Sequence, residues 1–134
     1  MRVLHAIHDS LLVGYSVNSE TRKLILSLQP HQGSTPSPFT VVFHGTMAHR
    51  FEWPLLPAIL FGVTSVNVDS MLQETWPFIE QGFRACGWPG PWADTLENAQ
   101  NFARTALLQA FEVDSSYGLS GWVLARDMEI RGDL

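Results

Sequence analysis

The residues whose chemistry could support catalysis or metal binding are concentrated among the histidines. His5, His8 and Asp9 lie close together near the N-terminus, and His44 and His49 flank a predicted bend after the third strand. Imidazole and carboxylate groups are zinc ligands, and three of them around an open coordination position would activate water. An extended strand would turn His5 and His8 to opposite sides, and no HExxH arrangement is present. The candidate metal ligands are His5, His8, Asp9 and His44, but we favour surface or hydrogen-bonded histidines over a metal site.

Two candidate nucleophiles occupy positions that indicate structural roles. Residues 118–121 read GLSG, the start of a nucleophile elbow, but Trp122 stands where the last glycine is needed and a strand follows instead of a helix. We therefore predict that Ser120 satisfies backbone groups in a turn. Cys86 lies on an apolar stripe near a predicted helix C-terminus, which does not activate a thiol, and we assign it to the core.

Carboxylates in an arrangement for acid–base catalysis are not evident. Glu74 and Glu80 fit a solvated helix face, and Asp94 with Glu97 fits a helix cap. Glycine-rich phosphate loops are absent as well. The sequence therefore predicts no catalytic residue and no cofactor.

The charge balance limits the classes of partner. With 13 acidic and 8 basic residues the net charge is −5, which argues against nucleic acid. Cys86 is the only cysteine, so no intramolecular disulfide forms. The most apolar window, residues 54–63, is too short for a bilayer, and the N-terminus does not resemble a signal peptide. We expect a cytoplasmic protein with no membrane partner.

The first half of the chain has the two-residue period of strands. Apolar residues alternate over residues 11–17 and again over 24–28, with a polar turn between them, which predicts a hairpin. A third strand is predicted to begin at Phe39 and to continue past Gly45, as a bulged or bent strand, to Trp53. Residues 63–69 are rich in β-branched types and predict a fourth strand.

Two helices are predicted next. The first has an apolar stripe from Leu72 to Cys86; because Pro77 fits only a first turn, its start is placed near Thr75 or Trp76. Gly87 ends it. The second helix begins at Asp94 as the N-cap, and its stripe runs from Leu96 to Ala110.

The last quarter of the chain returns to the sheet. Residues 115–118 predict a turn. Residues 122–130 alternate with a two-residue period that only Arg126 interrupts, which predicts one long strand with a buried face. The fold class is therefore α+β: residues 1–134 form a single domain with an antiparallel meander of about four strands, two helices on one face and a C-terminal strand that returns to the sheet.

Five tryptophans are many for a chain of this length. Trp76 and Trp122 fall on predicted buried faces. Trp88 and Trp92 lie in the proline-braced connector between the helices, where they either contact a partner or cover the helix ends. Covering the helix ends is the interpretation that we favour for both.

The chain resembles small bacterial α+β proteins of unassigned function, several families of which are similar to the immunity proteins of polymorphic or secreted antibacterial toxins. The resemblance rests on three short segments: His8, Asp9 and Ser10 before a β-meander, the 67–69 segment NVD, and SSYGLSGW at 115–122. It implies a tight protein-binding antidote that has no catalytic residues.

We therefore predict a non-catalytic protein-binding module of the immunity type, with a protein partner that is a basic toxin domain. Its contact residues are drawn from the acidic and aromatic surface: Asp9, Asp69, Glu74, Trp88, Trp92 and Asp94. Two alternatives stay open. One is a small metal-dependent enzyme that uses the N-terminal His/Asp cluster, and the other is a structural homo-oligomer, since a charged fraction of only 16% favours a homodimer contact.

Overall fold

The described residues form an α+β fold in which a strongly curved antiparallel sheet carries two helices. The computed structural model describes residues 7–30 and 37–132. In chain order its elements are β1 (Leu11–Asn18), β2 (Lys23–Gln29), β3 (Phe39–His44), β4 (Ala48–Glu52), β5 (Ala58–Val66), α1 (Val68–Cys86), a short 3-10 helix (Pro91–Ala93), α2 (Leu96–Thr105), β6 (Gln109–Tyr117), β7 (Ser120–Ala125) and β8 (Asp127–Gly132).

The strands lie in the order β4-β7-β6-β5-β1-β2-β3-β8, and each neighbouring pair is antiparallel. Residues 45–47 join β3 to β4, and Arg126 alone joins β7 to β8. The two strands at the ends of the sheet are thus continuations of strands inside it. The α+β class is confirmed, whereas a meander of about four strands is too small, because the described residues form eight strands.

The predicted hairpin at the start of the chain is confirmed. β1 pairs with β2 from Leu11 to Asn18, and the side chain of Asn18 accepts hydrogen bonds from the N–H groups of Glu20 and Thr21 in the turn. The predicted bend after the third strand is also present, with Gly45 at a φ of 64°. Positive φ costs glycine little, so the chain changes direction there without losing its pairing on either side.

The fourth predicted strand is displaced along the chain. β5 begins at Ala58 and ends at Val66, so residues 67–69 lie outside it. Asn67 is instead the N-cap of α1, and its Oδ1 accepts a hydrogen bond of 2.8 Å from the N–H of Ser70. An N-cap asparagine satisfies a backbone donor that no helical carbonyl reaches, and this local bond outweighs the β-branched composition.

The first helix is longer than predicted. α1 begins at Val68, and Pro77 lies inside it with its side chain exposed. The prediction near Thr75 was wrong because burial of Met71, Leu72 and Ile79 holds the helix on both sides of the proline. The predicted end is confirmed: Gly87 is left-handed at a φ of 78°, and its N–H donates to the Phe83 carbonyl at 2.9 Å.

The second helix is capped one residue later than predicted. Thr95 is its N-cap and accepts a hydrogen bond of 3.1 Å from the Asn98 N–H, while Asp94 bonds the N–H of Thr95 and the amide of Asn98. The helix ends at Thr105, so Ala110 belongs to β6 and not to the helical stripe. Among residues 7–30 and 37–132, no helix is both long enough and apolar enough to cross a membrane.

The long strand predicted over residues 122–130 is interrupted at Arg126. Val123 and Ala125 face the inner core before this residue, and Met128 and Ile130 pack against the same core after it. A two-residue period would place those two pairs on opposite faces. Residues 45–47 lie opposite Ala125 and Arg126, so three residues of one chain segment face two of the other. This bulge shifts the register by one residue, and both pairs of side chains therefore face the same core.

Two hydrophobic cores lie on the two sides of β7. The inner core lies within the curve of the sheet and includes Leu24, Leu26, Phe43 and Leu60. The outer core lies between the sheet and the helices and includes residues of both; its buried members are Ala48, Met71, Leu72, Ile79, Ala93, Ala99, Ala103, Leu108, Ala110, Trp122 and Leu124. β7 contributes alternate residues to each core, which explains why it reads as continuously apolar.

We expect Gly121→Ala to lower the free energy of unfolding by about 2–3 kcal/mol, the upper part of the usual range of about 1–3 kcal/mol for a methyl group forced into a packed site. A Cβ at Gly121 would lie 1.9 Å from the carbonyl oxygen of Arg50, so β4 would have to move away from β7. Gly14→Ala is the matched control, because a Cβ there has no neighbour within 4 Å. Urea unfolding of both variants measures the difference, and equal stabilities would contradict the close approach of β4.

Candidate functional site

The histidine and aspartate candidates for a metal site make contacts within the fold. His8 Nδ1 lies 3.1 Å from the Phe61 carbonyl oxygen, and its Nε2 lies 3.5 Å from Asp9 Oδ2. His44 Nε2 lies 2.5 Å from Glu129 Oε1, across the β3–β8 pair. His5 lies outside the described residues. Within the described ranges, no three His, Cys, Asp or Glu side chains come together as ligands for a metal ion.

Glu129 is the carboxylate with the largest electrostatic change. A hydrogen bond from Arg131 and a second one from His44 lower the pKa of Glu129 to about 2. Arg131 Nη2 lies 3.0 Å from the same oxygen that His44 contacts. A carboxylate that stays ionised in this way joins two strands and is a poor general acid or base at neutral pH.

The two candidate nucleophiles differ in outcome. Ser120 satisfies a backbone group as predicted, since its Oγ accepts a hydrogen bond of 3.1 Å from the Ser115 N–H, but it begins β7 and residues 115–117 belong to β6, so the predicted turn is shorter and lies at residues 118–119. The assignment of Cys86 to the core is wrong, because Cys86 is exposed at the last turn of α1. Its Sγ donates to the Gly82 carbonyl at 3.5 Å. The apolar stripe of α1 is longer than the surface that the sheet offers it, so its last member is left in solvent.

The acidic partner-binding candidates are dispersed. Asp69 pairs with Arg104 at 3.3 Å between the two helices, and Asp94 accepts hydrogen bonds from the N–H of the N-cap Thr95 and the side-chain amide of Asn98. Glu74 is exposed on α1, and Asp9 lies beside β5 with its N–H donating to the Leu60 carbonyl. The structure therefore places these carboxylates in several regions of the surface.

The two connector tryptophans are half-buried against the outer core. Trp88 lies 6.2 Å from Trp122 and 5.5 Å from Phe78 between ring centroids, and Gly82 provides the space for its ring. Trp92 stacks on Phe102 at 4.9 Å with an interplanar angle of 13°. Both rings therefore cover the helical layer, and one edge of Trp88 also faces a surface groove.

This groove is a concave surface with two parts. Its wider part has a volume of about 580 Å³, and a narrower part of about 200 Å³ adjoins it through His49 and Trp88. We call it the β1–β4 groove, after the two strands that line part of it; the second half of α1 forms the other wall of its wider part. The wider part is lined by Tyr15, His49, Arg50, Phe51, Phe78, Gln81, Gly82, Ala85, Cys86 and Trp88, and the narrower part by Val17, Asn18, Ser19, Arg22, Thr46, Met47, Ala48, His49, Trp88 and Pro89.

The groove exists because two strands stop pairing there. β1 pairs with β5 only at Leu11 and Leu12, so the rest of that side of β1 has no neighbouring strand in the sheet. β4 pairs with β7 on one side and is the end strand of the sheet. Tyr15 of β1 and Phe51 of β4 meet across the opening, with ring centroids 5.1 Å apart.

Residues from both faces of β4 line the groove. His49 and Phe51 lie opposite Val123 and Gly121, whereas Arg50 lies opposite Trp122 on the helical side. Because neighbouring residues of a strand point to opposite faces, a surface that all three line must run along the edge of β4. The unpaired main-chain groups of β4 therefore border this groove.

Arg50 is the charged residue at the centre of the groove. Its guanidinium lies 3.4 Å from the ring centroid of Phe78, and its Nη2 lies 3.2 Å from Glu52 Oε2. A cation over an aromatic face is held in position by the ring quadrupole. The ring centroids of the neighbouring His49 and Phe51 are 5.2 Å apart. Burial lowers the pKa of His49, so its imidazole is neutral at pH 7.

A second surface feature follows β4 directly. Residues 53–57, WPLLP, form a proline-braced loop that we call the aromatic tip. Trp53 has 76% of its surface exposed and a φ of 53°, and the N–H of Leu55 donates to its carbonyl at 2.6 Å. The side chains of Leu55 and the nearby Tyr117 are also exposed, at 50% and 57%. A Cβ at Gly118 would lie 2.7 Å from the Leu55 carbonyl, so the loop rests on the β6–β7 turn.

The sequence did not identify the groove or the aromatic tip. Trp88 was the one predicted contact residue that lines the groove, whereas Trp53 was placed only at the end of a strand. A tryptophan followed by proline at the end of a strand was the available signal, because the chain leaves the sheet there. The arrangement provides apolar walls, cations and strand edges, which suit binding.

Comparison of the chain with models of protein families, with curated proteins and with solved structures found no match in any of the three.

We expect His49 to titrate below the ordinary value of 6.5 for histidine, because burial disfavours the imidazolium. The unfolded chain then binds this proton at a higher pH than the folded chain does. His49 therefore makes the fold less stable as the pH falls below 6.5, and its contribution to stability is fully retained above that value.

Two measurements check this expectation. NMR titration of the His49 ring gives its pKa directly, and a midpoint at or above 6.5 would contradict the burial of the ring. Urea unfolding between pH 7.5 and pH 5 should show a smaller loss of stability for His49→Gln than for the unmodified chain.

Proposed function

We propose that this protein is a non-catalytic protein-binding module, and that in its more specific form it is an immunity-type antidote that binds a basic toxin domain. The observation that carries the proposal is the aromatic tip. There the Trp53 side chain is 76% exposed, and its backbone has a left-handed conformation that is unfavourable for residues other than glycine.

The backbone conformation of Trp53 costs free energy that the packing of its side chain does not offset. A left-handed backbone costs an L-residue roughly 1–2 kcal/mol, and this side chain gains little burial in return. Such a residue persists where the surrounding structure imposes it, and here the chain turns sharply after β4, with the Leu55 N–H bonded to the Trp53 carbonyl. Strain of this kind is found at surfaces that serve binding.

The aromatic tip also has the composition and rigidity of a binding hot spot. Tryptophan contributes a large contact area at a small entropy cost, and prolines reduce the order that binding must impose on a loop. Leu55 and Tyr117 extend the exposed apolar surface around Trp53. A partner that covers them would bury a central aromatic anchor with apolar neighbours, as interface cores do.

The charge of the chain supports a basic partner. The net charge is −5, and Glu74, Glu97 and Glu112 have no salt bridge among the described residues. Complementary charge increases the rate of association and selects against acidic partners. The antidote role rests additionally on the resemblance of the 8–10, 67–69 and 115–122 segments to proteins similar to immunity proteins.

The partner can be identified by photo-crosslinking from the aromatic tip. A photoreactive phenylalanine analogue at position 55 should crosslink a protein in lysate of the source organism, whereas the same analogue at Thr105, on the helical layer, should not. The crosslinked protein is then produced separately, and its effect on bacterial growth is measured with and without this chain. Crosslinks only between copies of this chain would support the homo-oligomer instead, and a partner without toxicity would exclude the antidote role.

With the purified partner, Trp53→Ser should weaken binding by about 30-fold or more, the loss typical of a hot-spot residue. Phe61→Ser is the matched control, because Phe61 is also an aromatic residue with 62% of its surface exposed but lies within β5. Its replacement should change the affinity less than about threefold, as outside a hot spot. Calorimetry measures both, and equal effects would exclude the aromatic tip as the contact.

A charge reversal on α1 should slow association. Glu74→Lys replaces an exposed acidic residue, and we expect the association rate at low salt to fall about threefold or more. Glu20→Lys, in the exposed β1–β2 turn, changes the net charge equally and controls for it. Stopped-flow measurements with the partner compare the two, and identical rates would exclude a specific role for Glu74.

A further inference from the structure

We propose that the β1–β4 groove binds an extended acidic peptide segment of a partner protein, which adds as a strand to the free edge of β4. This surface is distinct from the aromatic tip, and the inference does not depend on the antidote role.

The main chain of β4 provides the first part of the argument. β4 is the end strand of the sheet, and the groove runs along its edge, as its lining from both strand faces shows. Across the groove lie the second half of α1 and the part of β1 that has no partner strand on its β5 side beyond Leu12. Unpaired N–H and C=O groups of an edge strand bind an extended peptide by completing the hydrogen-bond ladder.

The walls of the groove supply places for side chains. In an added strand, every second side chain points to the same side, about 7 Å from the next one. Aromatic rings line the wider part of the groove, and the narrower part continues past His49 and Trp88 with Val17 and Met47. The groove therefore suits apolar side chains at alternate positions of a peptide.

The charge of the groove determines the chemistry of the occupant. The chain has 13 acidic and 8 basic residues, but the residues that line the groove include Arg22 and Arg50 and neither Asp nor Glu. Glu52 contacts Nη2 of Arg50, and a guanidinium has five N–H donors, so further donors of the fork remain for a second carboxylate. A peptide with carboxylates between its apolar residues matches this surface.

The shape of the groove favours a peptide over a small molecule. Small ligands bind in sites that enclose most of their surface. This groove has two adjoining parts, of about 580 and 200 Å³, and is bordered by strand edges. An extended chain would use both parts and the main-chain groups, whereas a compact ligand would use only one part.

The test uses the whole protein, immobilised, and degenerate octapeptide mixtures as probes. In the first mixture Glu alternates with equal amounts of Val, Leu, Phe and Tyr. A second mixture has Lys in place of Glu. A third retains the Glu pattern but carries N-methyl groups at alternate backbone positions, which removes ladder hydrogen bonds without changing side chains. Retained peptides are quantified by mass spectrometry.

We expect the Glu mixture to be retained at least about tenfold more than either of the other two. Arg50→Gln should reduce its retention about fivefold, as for the loss of one partly exposed ion pair. Arg84→Gln is the matched control, because Arg84 is exposed on α1 and does not line the groove. Circular dichroism confirms that each variant is folded.

Three results would overturn the proposal. Equal retention of the Glu and Lys mixtures would exclude charge recognition. Equal retention of the N-methylated mixture would exclude strand addition. If no mixture is retained but 1-anilinonaphthalene-8-sulfonate binds in an Arg50-dependent way, the groove is a site for small aromatic anions.

Discussion

The close approach of β4 to β7, at Gly121, is the constraint on which the rest of the structure depends. Because Gly121 has no side chain, the Arg50 carbonyl can lie close to the position that a Cβ would occupy. β4 therefore pairs tightly with β7, the first of the two strands that Arg126 joins. Before the bend at Gly45, the same chain pairs with β8 through β3. This double pairing places Trp122 under the helices and Val123 inside the sheet, and thereby connects the two cores.

That arrangement leaves β4 at the end of the sheet. The β1–β2 hairpin does not pair with β4, but it is linked to the segment that precedes β4 by the 2.8 Å hydrogen bond from the Thr46 N–H to the Arg22 carbonyl. An exposed strand edge favours unwanted association, and proteins limit it with short strands and charges. β4 has only five residues, and Arg50 and Glu52 lie within it. The edge is protected against nonspecific pairing while it stays open to a complementary segment.

The sequence predicted the elements whose signals are local. The β1–β2 hairpin, the bend at Gly45 and the end of α1 at Gly87 follow from alternation and from glycine conformations. The register change at Arg126 was not predictable. In the sequence, a polar residue at a register shift looks the same as a polar residue of an unbroken strand whose side chain points into solvent. The candidate site was predicted only through Trp88, since a groove between strand edges depends on which strands pair, and sequence alternation does not specify that.

In this fold, the polar residues that stabilise the structure are different from the residues that we propose for binding. His8, His44 and Asp94, which the sequence offered for chemistry or contacts, make hydrogen bonds that fix strands and a helix start. Two features that cost stability lie elsewhere: a strained, exposed Trp53 and an unpaired edge of β4. Both belong to one continuous stretch, residues 48–57, which the Gly121 contact holds against the sheet. A rigid attachment of this kind lets a protein present costly surface groups without losing its core, because Ala48 and Phe51 of the same stretch pack against the two cores and anchor it.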